Sequence, residues 1–305
     1  MVSPDSQSMR VRVQDRVLTV TNLDKVLYPE AGFTKGQVID YYLRIAPVLL
    51  PHIAGRPLTL KRYPNGVLGE YFYEKHAPAH RPDWVPTARI DSPSSAKASK
   101  TVLYVVAGDL PTLIWLANLA GLELHTPMWR VPHVGEPDRL MFDLDPGPPA
   151  TIVECCQVAM LLRPLLEESG LRPLAKTSGG KGLQLTAAVA GHTSEQASEL
   201  ARGLAEQLER EHPRLVVSRM TKVLRPGKVL IDWSQNNAKK TTVAPYSLRA
   251  MNQPTVSTPV TWDEVSGCQH ADDLIFTSDT VLDRVTSLGD LHSPLLDAAT
   301  VSFEE

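Results

Sequence analysis

The hydrophobic and polar positions alternate over short stretches and recur at helical spacing over four longer ones. Val11-Arg-Val13 and Arg16-Val-Leu-Thr-Val20 alternate with period two and predict a hairpin on a sheet edge. Thr34 reads as the N-cap of a helix that carries Val38, Tyr41, Tyr42, Ile45, Val48 and Leu49 on one side. Leu58 to Arg62 reads as a strand running into a Pro64-Asn65-Gly66 turn. A second helix is predicted over 109–121, with Leu113, Leu116, Ala117 and Ala120 buried and Gly121 as its closing C′ glycine. Leu122 to Trp129 is strand-like, and two further helices are predicted over 151–169, closed by Gly170, and over 194–211. Residues 92–100 are Ser-rich and read as a surface loop. Residues 1–10 read as a loose tail, and residues 11–305, with no internal repeat and no strong linker, as a single domain in two lobes.

The pattern is most informative at Leu140-Met-Phe-Asp143-Leu-Asp145-Pro-Gly147. An apolar strand ends in two carboxylates, and side chains two apart on a strand leave the same face. Like charges that close repel and raise one pKa unless a cation lies between them, and a divalent metal with oxygen ligands is the natural counter-charge. A solvated strand end with Asp as turn former accounts for a lone Asp-x-Asp equally well. Two later stretches change the balance. Thr177-Ser178-Gly-Gly180-Lys181-Gly182 offers glycines that let backbone N–H groups approach an anion, with Ser178 and Lys181 as added donors. Its spacing is not that of a Walker A loop, and a plain hairpin turn is the alternative. Lys228 to Asn236 is a strand that delivers Asp232 at its end.

Composition sharpens this. The 305 residues are 43% apolar and carry a net charge of -3, so no global field draws the chain to nucleic acid or membrane. The charge is uneven. Between residues 212 and 262, eight basic residues, Arg225 and Lys239 among them, surround the single acid Asp232. From residue 263 onward ten acids face one base, Arg284. A local basic face suits a phosphate-bearing partner; the acidic end reads as a solvated face. An acid isolated among cations makes sense as a third metal ligand at a site whose substrate is polyanionic. Three cysteines, two of them adjacent, fit neither a disulfide framework nor a metal spacing, which points to a reduced cytoplasmic setting. No apolar run is long enough for a membrane span, and no signal peptide is visible.

Other candidates follow along the chain. Lys25 and Lys35 flank one loop beside a helix N-terminus, a seat for phosphate; two solvated lysines are the plainer alternative. Lys61 and Arg62 end a strand. Tyr71-Phe72-Tyr73 cannot all be core on a strand, and aromatics among cations suit base stacking. His125 sits near a strand end, where a structural histidine is equally at home. Three carboxylates, a Gly-Lys turn, a His and a basic face can hold two divalent ions roughly 3.5–4 Å apart, the arrangement for in-line displacement at phosphorus. Nucleotidyl transfer and phosphodiester hydrolysis both fit; cation density on the scale of a triphosphate favours transfer. A catalytically silent DNA-end binder would need Lys25 and Lys35 but not the aspartates.

Asp143-Leu-Asp145-Pro-Gly, Thr177-Ser-Gly-Gly-Lys181-Gly and Val229-Leu-Ile-Asp232-Trp-Ser-Gln235-Asn resemble the archaeo-eukaryotic primase superfamily, and more closely the polymerase domain of bacterial ligase D. Thr21-Asn22-Leu-Asp-Lys25-Val-Leu-Tyr-Pro29, Lys61-Arg62-Tyr-Pro-Asn-Gly66 and Ala244-Pro-Tyr-Ser-Leu-Arg249 extend the match over nearly the whole chain. The resemblance implies an α+β, two-lobed primase-polymerase fold, with largely antiparallel sheets flanked by helices and the active site in the cleft between them. It implies a metal-dependent nucleotidyltransferase adding ribo- or deoxynucleotides at DNA gaps and breaks in repair, with stand-alone priming as an alternative. By this resemblance Asp143, Asp145 and Asp232 bind two ions, Mn²⁺ or Mg²⁺. Lys61, Phe72, Tyr73, His125, Thr177, Ser178, Gly180, Lys181, Gln235 and Arg249 hold the nucleoside triphosphate, with Phe72 and Tyr73 as a stacking pair. Asn22, Lys25 and Lys35 form the pocket for a DNA 5′-phosphate, and Arg225 and Lys239 contact DNA. Implied partners are gapped or broken DNA and DNA-end-binding and ligase repair proteins, in a bacterial cytoplasm at the nucleoid. The ligase and nuclease domains of that family lie outside this chain, which is then a stand-alone polymerase or one domain of a longer protein.

Overall fold

The computed structural model describes residues 8–92 and 100–297. The chain opens with a hairpin, β1 (Ser8–Val13) and β2 (Arg16–Thr21), followed by the short pair β3 (Val26–Tyr28) and β4 (Phe33–Thr34). Residues 8–10 therefore belong to a strand rather than to a tail; residues 1–7, and residues 93–99 of the predicted surface loop, lie outside the described region. Helix α1 (Lys35–Ile53) starts at a full capping box, in which Thr34 and Gln37 satisfy each other's backbone N–H. Its buried side carries Val38, Tyr41, Tyr42, Ile45 and Leu49. Pro47 and Pro51 both sit on its exposed side, where carbonyls deprived of a partner meet water.

Next come β5 (Thr59–Arg62), β6 (Phe72–Glu74), the hairpin β7 (Thr87–Ser92) and β8 (Lys100–Val105), α2 (Leu110–Asn118) and β9 (Gly121–Thr126). The turn after α2 departs from the sequence expectation. Ala120, not Gly121, takes the left-handed conformation, with φ 57. Gly121 is needed for another reason: a Cβ there would lie 2.9 Å from the Leu116 carbonyl oxygen.

The middle of the chain builds the second lobe from β10 (Arg139–Pro146), α3 (Ile152–Glu168), β11 (Leu174–Thr177), β12 (Leu183–Ala188), α4 (Ser194–Glu211), β13 (Val216–Val217) and β14 (Val229–Asp232). Thr151 and Thr193 cap the two helices, and Gly170 follows α3 at φ 74, where the sequence placed its end. The chain then returns through β15 (Thr242–Val243) and β16 (Pro259–Val260) to α5 (Trp262–Gly267), α6 (Ser278–Leu288) and α7 (Pro294–Asp297).

Two sheets result. One is ordered β13-β14-β10-β12-β11-β16, antiparallel except for β13-β14; the other is β15-β9-β5-β6, antiparallel throughout. Each lobe has its own core: Phe142, Leu144, Leu185 and Ile231 pack against α3 and α4, whereas Leu60, Leu122 and Leu124 pack against α1 and α2. This is the two-lobed α+β fold expected. Buried Lys176 joins the lobes: on β11 of the first sheet, its Nζ donates to the Val243 carbonyl on β15 of the second, at 3.1 Å.

Candidate active site

The antiparallel pairing of β10 with β14 sets Asp143 directly opposite Asp232. Residues opposite one another share a face, and so do residues two apart, so Asp143, Asp145 and Asp232 all leave one side of the sheet. Like charges placed opposite destabilise a strand pair, so this arrangement calls for an offsetting cation. Burial, then the charge of Asp145, pushes the Asp143 carboxyl up to about 7, and burial and Asp232 raise Asp145 as well. Gln184, its neighbour on β12, donates to Asp143 Oδ1 at 2.9 Å. Lys176 donates to the Gln184 carbonyl oxygen and thereby fixes which end of that amide faces Asp143. Asp232 is held differently. Its Oδ1 accepts from Ser234 N at 3.0 Å, its Oδ2 accepts from Gln235 Nε2 at 2.8 Å, and Lys240 lies 3.7 Å away. Among the described residues no three His, Cys, Asp or Glu side chains are gathered as a ready ligand set. The carboxylates share a face, with Asp232 directly opposite Asp143. The raised carboxyls of Asp143 and Asp145 fit a divalent cation, the group that relieves their repulsion.

Asp143 and Asp145 open on a cleft of about 290 Å³ lined by His125, Ser178, Gly180, Lys181, Gly182, Gln235 and Arg249, together with Thr241 to Val243. Most of the predicted nucleotide residues are thus brought together. The 178–182 loop is the turn of the β11-β12 hairpin, and its donors are arranged otherwise than the sequence implied. Ser178 Oγ accepts from Gly180 N at 3.2 Å and from Gly182 N at 3.1 Å, so those two amides stabilise the loop rather than face an anion. The Ser178 hydroxyl hydrogen and the exposed Lys181 ammonium remain as donors to the cleft. Gly179 is obligatory: its φ is 70, and a Cβ would lie 2.6 Å from Arg249 Cγ and 2.7 Å from the Val256 carbonyl carbon. Thr177 stands apart. It is buried, its Oγ1 accepts from Thr258 N at 3.1 Å, and it secures the loop to the strand beyond.

The second sheet supplies the opposite wall. Tyr73, Lys61 and Glu123 lie in one row across β6, β5 and β9. Tyr73 meets the His125 ring edge-on at 6.3 Å. Phe72 points the other way, under the Arg62 guanidinium at 5.0 Å, because neighbours on a strand take opposite faces. The expected stacking pair is therefore split. Tyr71, Phe72 and Tyr73 are all exposed. Glu123 was not singled out from sequence, although a charged residue amid Leu122, Leu124 and two positions before His125 was a readable signal.

A second cleft of about 250 Å³ brings Asn22, Lys25 and Lys35 together as predicted and adds Arg62, Asn65 and Asn118. Asn22 takes φ 53, which Asn tolerates. Lys35 is buried and its Nζ donates to the Thr21 carbonyl at 2.7 Å. Burial, with the charges of Lys25 and Arg62, lowers its pKa to about 8. The α1 N-terminus itself contributes less than expected. Its first amides are already bonded, Lys35 N to Lys25 O and Gly36 N to Leu23 O at 2.8 Å each, and Gln37 N to Thr34 Oγ1 at 3.3 Å. Of the predicted DNA contacts, Arg225 is half-buried beside Gly147, where its charge offsets part of the rise in the Asp145 pKa, while Lys239 lies exposed in the loop after Asn236.

The architecture is that of a two-lobed primase-polymerase domain with its acids on one sheet and a basic cleft between the lobes. The family model described as LigD, primase-polymerase domain, matches residues 34–292, and the chain belongs to that family. It is 47% identical over 279 residues to the multifunctional non-homologous end joining protein LigD of Mycolicibacterium smegmatis, covering 90% of this chain and 36% of that protein. It is 31% identical over 274 residues to the bifunctional LigD of Bacillus subtilis, covering 89% and 43%. The chain thus spans less than half the length of these relatives. Among solved structures it is similar to the polymerase domain from Mycobacterium tuberculosis ligase D in complex with DNA, with a TM-score of 0.85, 42% identity, and 92% and 99% of the two chains covered. Among the described residues no helix is long and apolar enough to cross a membrane.

Proposed function

We propose that this chain is a metal-dependent, DNA-directed nucleotidyltransferase that adds ribo- or deoxynucleotides at gaps and breaks bearing a 5′-phosphate, as in end joining or short gap filling. The observation that carries this reading is the cross-strand pair Asp143 and Asp232, with Asp145 on the same face, at the edge of a cleft ringed by Lys181, Arg249 and His125. Asp143 and Asp145, joined by Asp232, would hold Mn²⁺ or Mg²⁺. Divalent ions there supply charge neutralisation and activation of an attacking oxygen for displacement at phosphorus. The chain's own residues do the rest. Lys181, Arg249 and the Ser178 hydroxyl offer donors to the phosphates, and charge-assisted bonds of this kind are the strong ones. Tyr73 presents an exposed ring beside His125 on which a base can stack, and Gln235 faces the same cleft.

The Lys25, Lys35, Arg62 cleft supports recognition of a terminal phosphate, since a terminal group carries more charge than an internal diester. Protein partners in repair, including DNA-end-binding and ligase proteins, fit the same reading. The test is primer extension on gapped DNA with each of Mn²⁺ and Mg²⁺, followed through released pyrophosphate. Extension that needs a divalent ion and is strengthened by a downstream 5′-phosphate supports the reading. Strand loss without pyrophosphate would replace it with hydrolysis.

A further inference from the structure

Glu123 lies at the meeting point of the cationic residues on the β9 wall of the cleft. It is 2% exposed. On β9 it shares a face with His125, whose Nε2 donates to Glu123 Oε2 at 2.9 Å. The β5-β9 register sets Lys61 beside it, with Nζ 3.8 Å from Oε1. Arg249 arrives from the far end of the chain, its Nε 3.4 Å from Oε2, and the adjacent Ala250 N donates to Oε1 at 3.1 Å. Arg249 Nε is buried and has no hydrogen-bond partner, although Arg249 Nη1 is spent on the Ser178 carbonyl. Lys61 is confined on its other side by Tyr71, whose ring centre lies 4.1 Å from Nζ.

We propose that Glu123 is the positioning residue of the nucleotide site, holding His125, Lys61 and Arg249 in one fixed array for the triphosphate of the incoming nucleotide. The inference rests on the nucleotidyl-transfer reading and deepens it. Burying a carboxylate is costly unless it is paired, and here both oxygens are shared among three side chains from three separate parts of the chain and one backbone amide. The array keeps an excess of positive charge next to Lys181 and the 178–182 loop. Fixed donors that need no rearrangement when a polyanion arrives are worth more than mobile ones. Glu123 also selects the histidine tautomer: with Nε2–H directed at the carboxylate, Nδ1 is the ring's remaining polar atom.

A role limited to offsetting the crowded cations predicts the opposite sign. Removing a negative charge from beside a polyanion site would then tighten nucleotide binding, whereas loss of positioning weakens it. The experiment measures equilibrium binding of ATP with Mg²⁺ to the full chain, without DNA, for the wild type, Glu123→Gln and Glu123→Asp. Manganese binding followed by electron paramagnetic resonance and thermal melts accompany each. Glu123→Asp keeps the charge, is expected to fold even if Glu123→Gln does not, and is one methylene too short to reach all its partners. The expected result is a loss of ATP affinity of about tenfold or more in both variants, with the nucleotide KM raised more than kcat is lowered and Mn²⁺ affinity unchanged. Equal or tighter ATP binding by either folded variant overturns the proposal while leaving the transferase reading in place. Failure of the wild type to bind any nucleoside triphosphate overturns both.

Discussion

In the proposed reaction Asp143, Asp145 and Asp232 carry the chemistry, and each is expected to be indispensable. Replacing any one by Ala leaves like charges with fewer ligands for the cation that offsets them. Nucleotide addition should fall by about a hundredfold or more, given that metal charge stabilisation is worth several kcal/mol, while DNA binding measured in the same buffer persists. Near-normal extension by any of the three would remove the assignment. The lysines of the second cleft make a separate prediction. A charge-assisted contact is worth about 1.5–3 kcal/mol, so Lys25→Ala and Lys35→Ala should each weaken binding of 5′-phosphorylated gapped DNA by about tenfold. The same DNA ending in a 5′-hydroxyl should bind almost unchanged, with titrations at one fixed salt concentration because phosphate contacts are salt-dependent. Lys35 adds a pH dependence. Its pKa is lowered to about 8 by burial and by Lys25 and Arg62, and a bound phosphate dianion raises it again. Preference for the 5′-phosphate should therefore be strongest below about pH 8 and decline as Lys35 loses its proton. A preference that grows between pH 8 and 9 would contradict this origin.

Among the elements, the 178–182 turn makes the sharpest prediction. Gly179→Ala places a Cβ against Arg249 and the 256–257 backbone at a positive φ. Left-handed strain alone costs about 1–3 kcal/mol, so the variant should melt several degrees lower and bind nucleotide more weakly, because Arg249 is displaced with the loop. The same turn marks where sequence stops being informative. Ser178, Lys181 and the glycines announce an anion site, but nothing local reveals that Ser178 Oγ claims two of the glycine amides. Helix α1 was legible from its Thr34 cap and apolar face, and α3 and α4 from their helical spacing, all of them local signals. The strand-end aspartates were legible for the same reason. Their register was not: Asp143 meets Asp232 through a pairing 89 positions apart in the chain, and Glu123 acquires its role from β5 and from Arg249, far along the sequence. Phe72 and Tyr73 matched a stacking pair as neighbours in sequence, which is what sends them to opposite faces of β6.

At the scale of the whole molecule, two cores are joined at a polar seam. Lys176 spans it, donating to Gln184, to Val243 O and to Ser257 Oγ at 2.6 Å, and burial lowers its pKa to about 7. Lys176→Ala would strand three buried acceptors, each worth about 1–3 kcal/mol when left unpaired. Thermal unfolding should shift down accordingly, and Mn²⁺ binding should weaken because the Gln184 amide is no longer held against Asp143; an unchanged melting curve would show that the seam adds nothing. The lobes joined in this way face each other with Asp143, Asp145 and Asp232 on one sheet and Lys61 and His125 on the other, and a second basic cleft forms at the Lys25–Lys35 loop. In the proposed function these parts form one enzyme for templated addition at a phosphorylated gap. The most direct measurement is single-nucleotide extension on a gapped duplex with and without a downstream 5′-phosphate, with Mn²⁺ and then with chelator, scored by both product length and released pyrophosphate. The account predicts one pyrophosphate per added nucleotide, faster addition on the phosphorylated gap and none with chelator; equal rates on both gaps, or shortened strands without pyrophosphate, would contradict it.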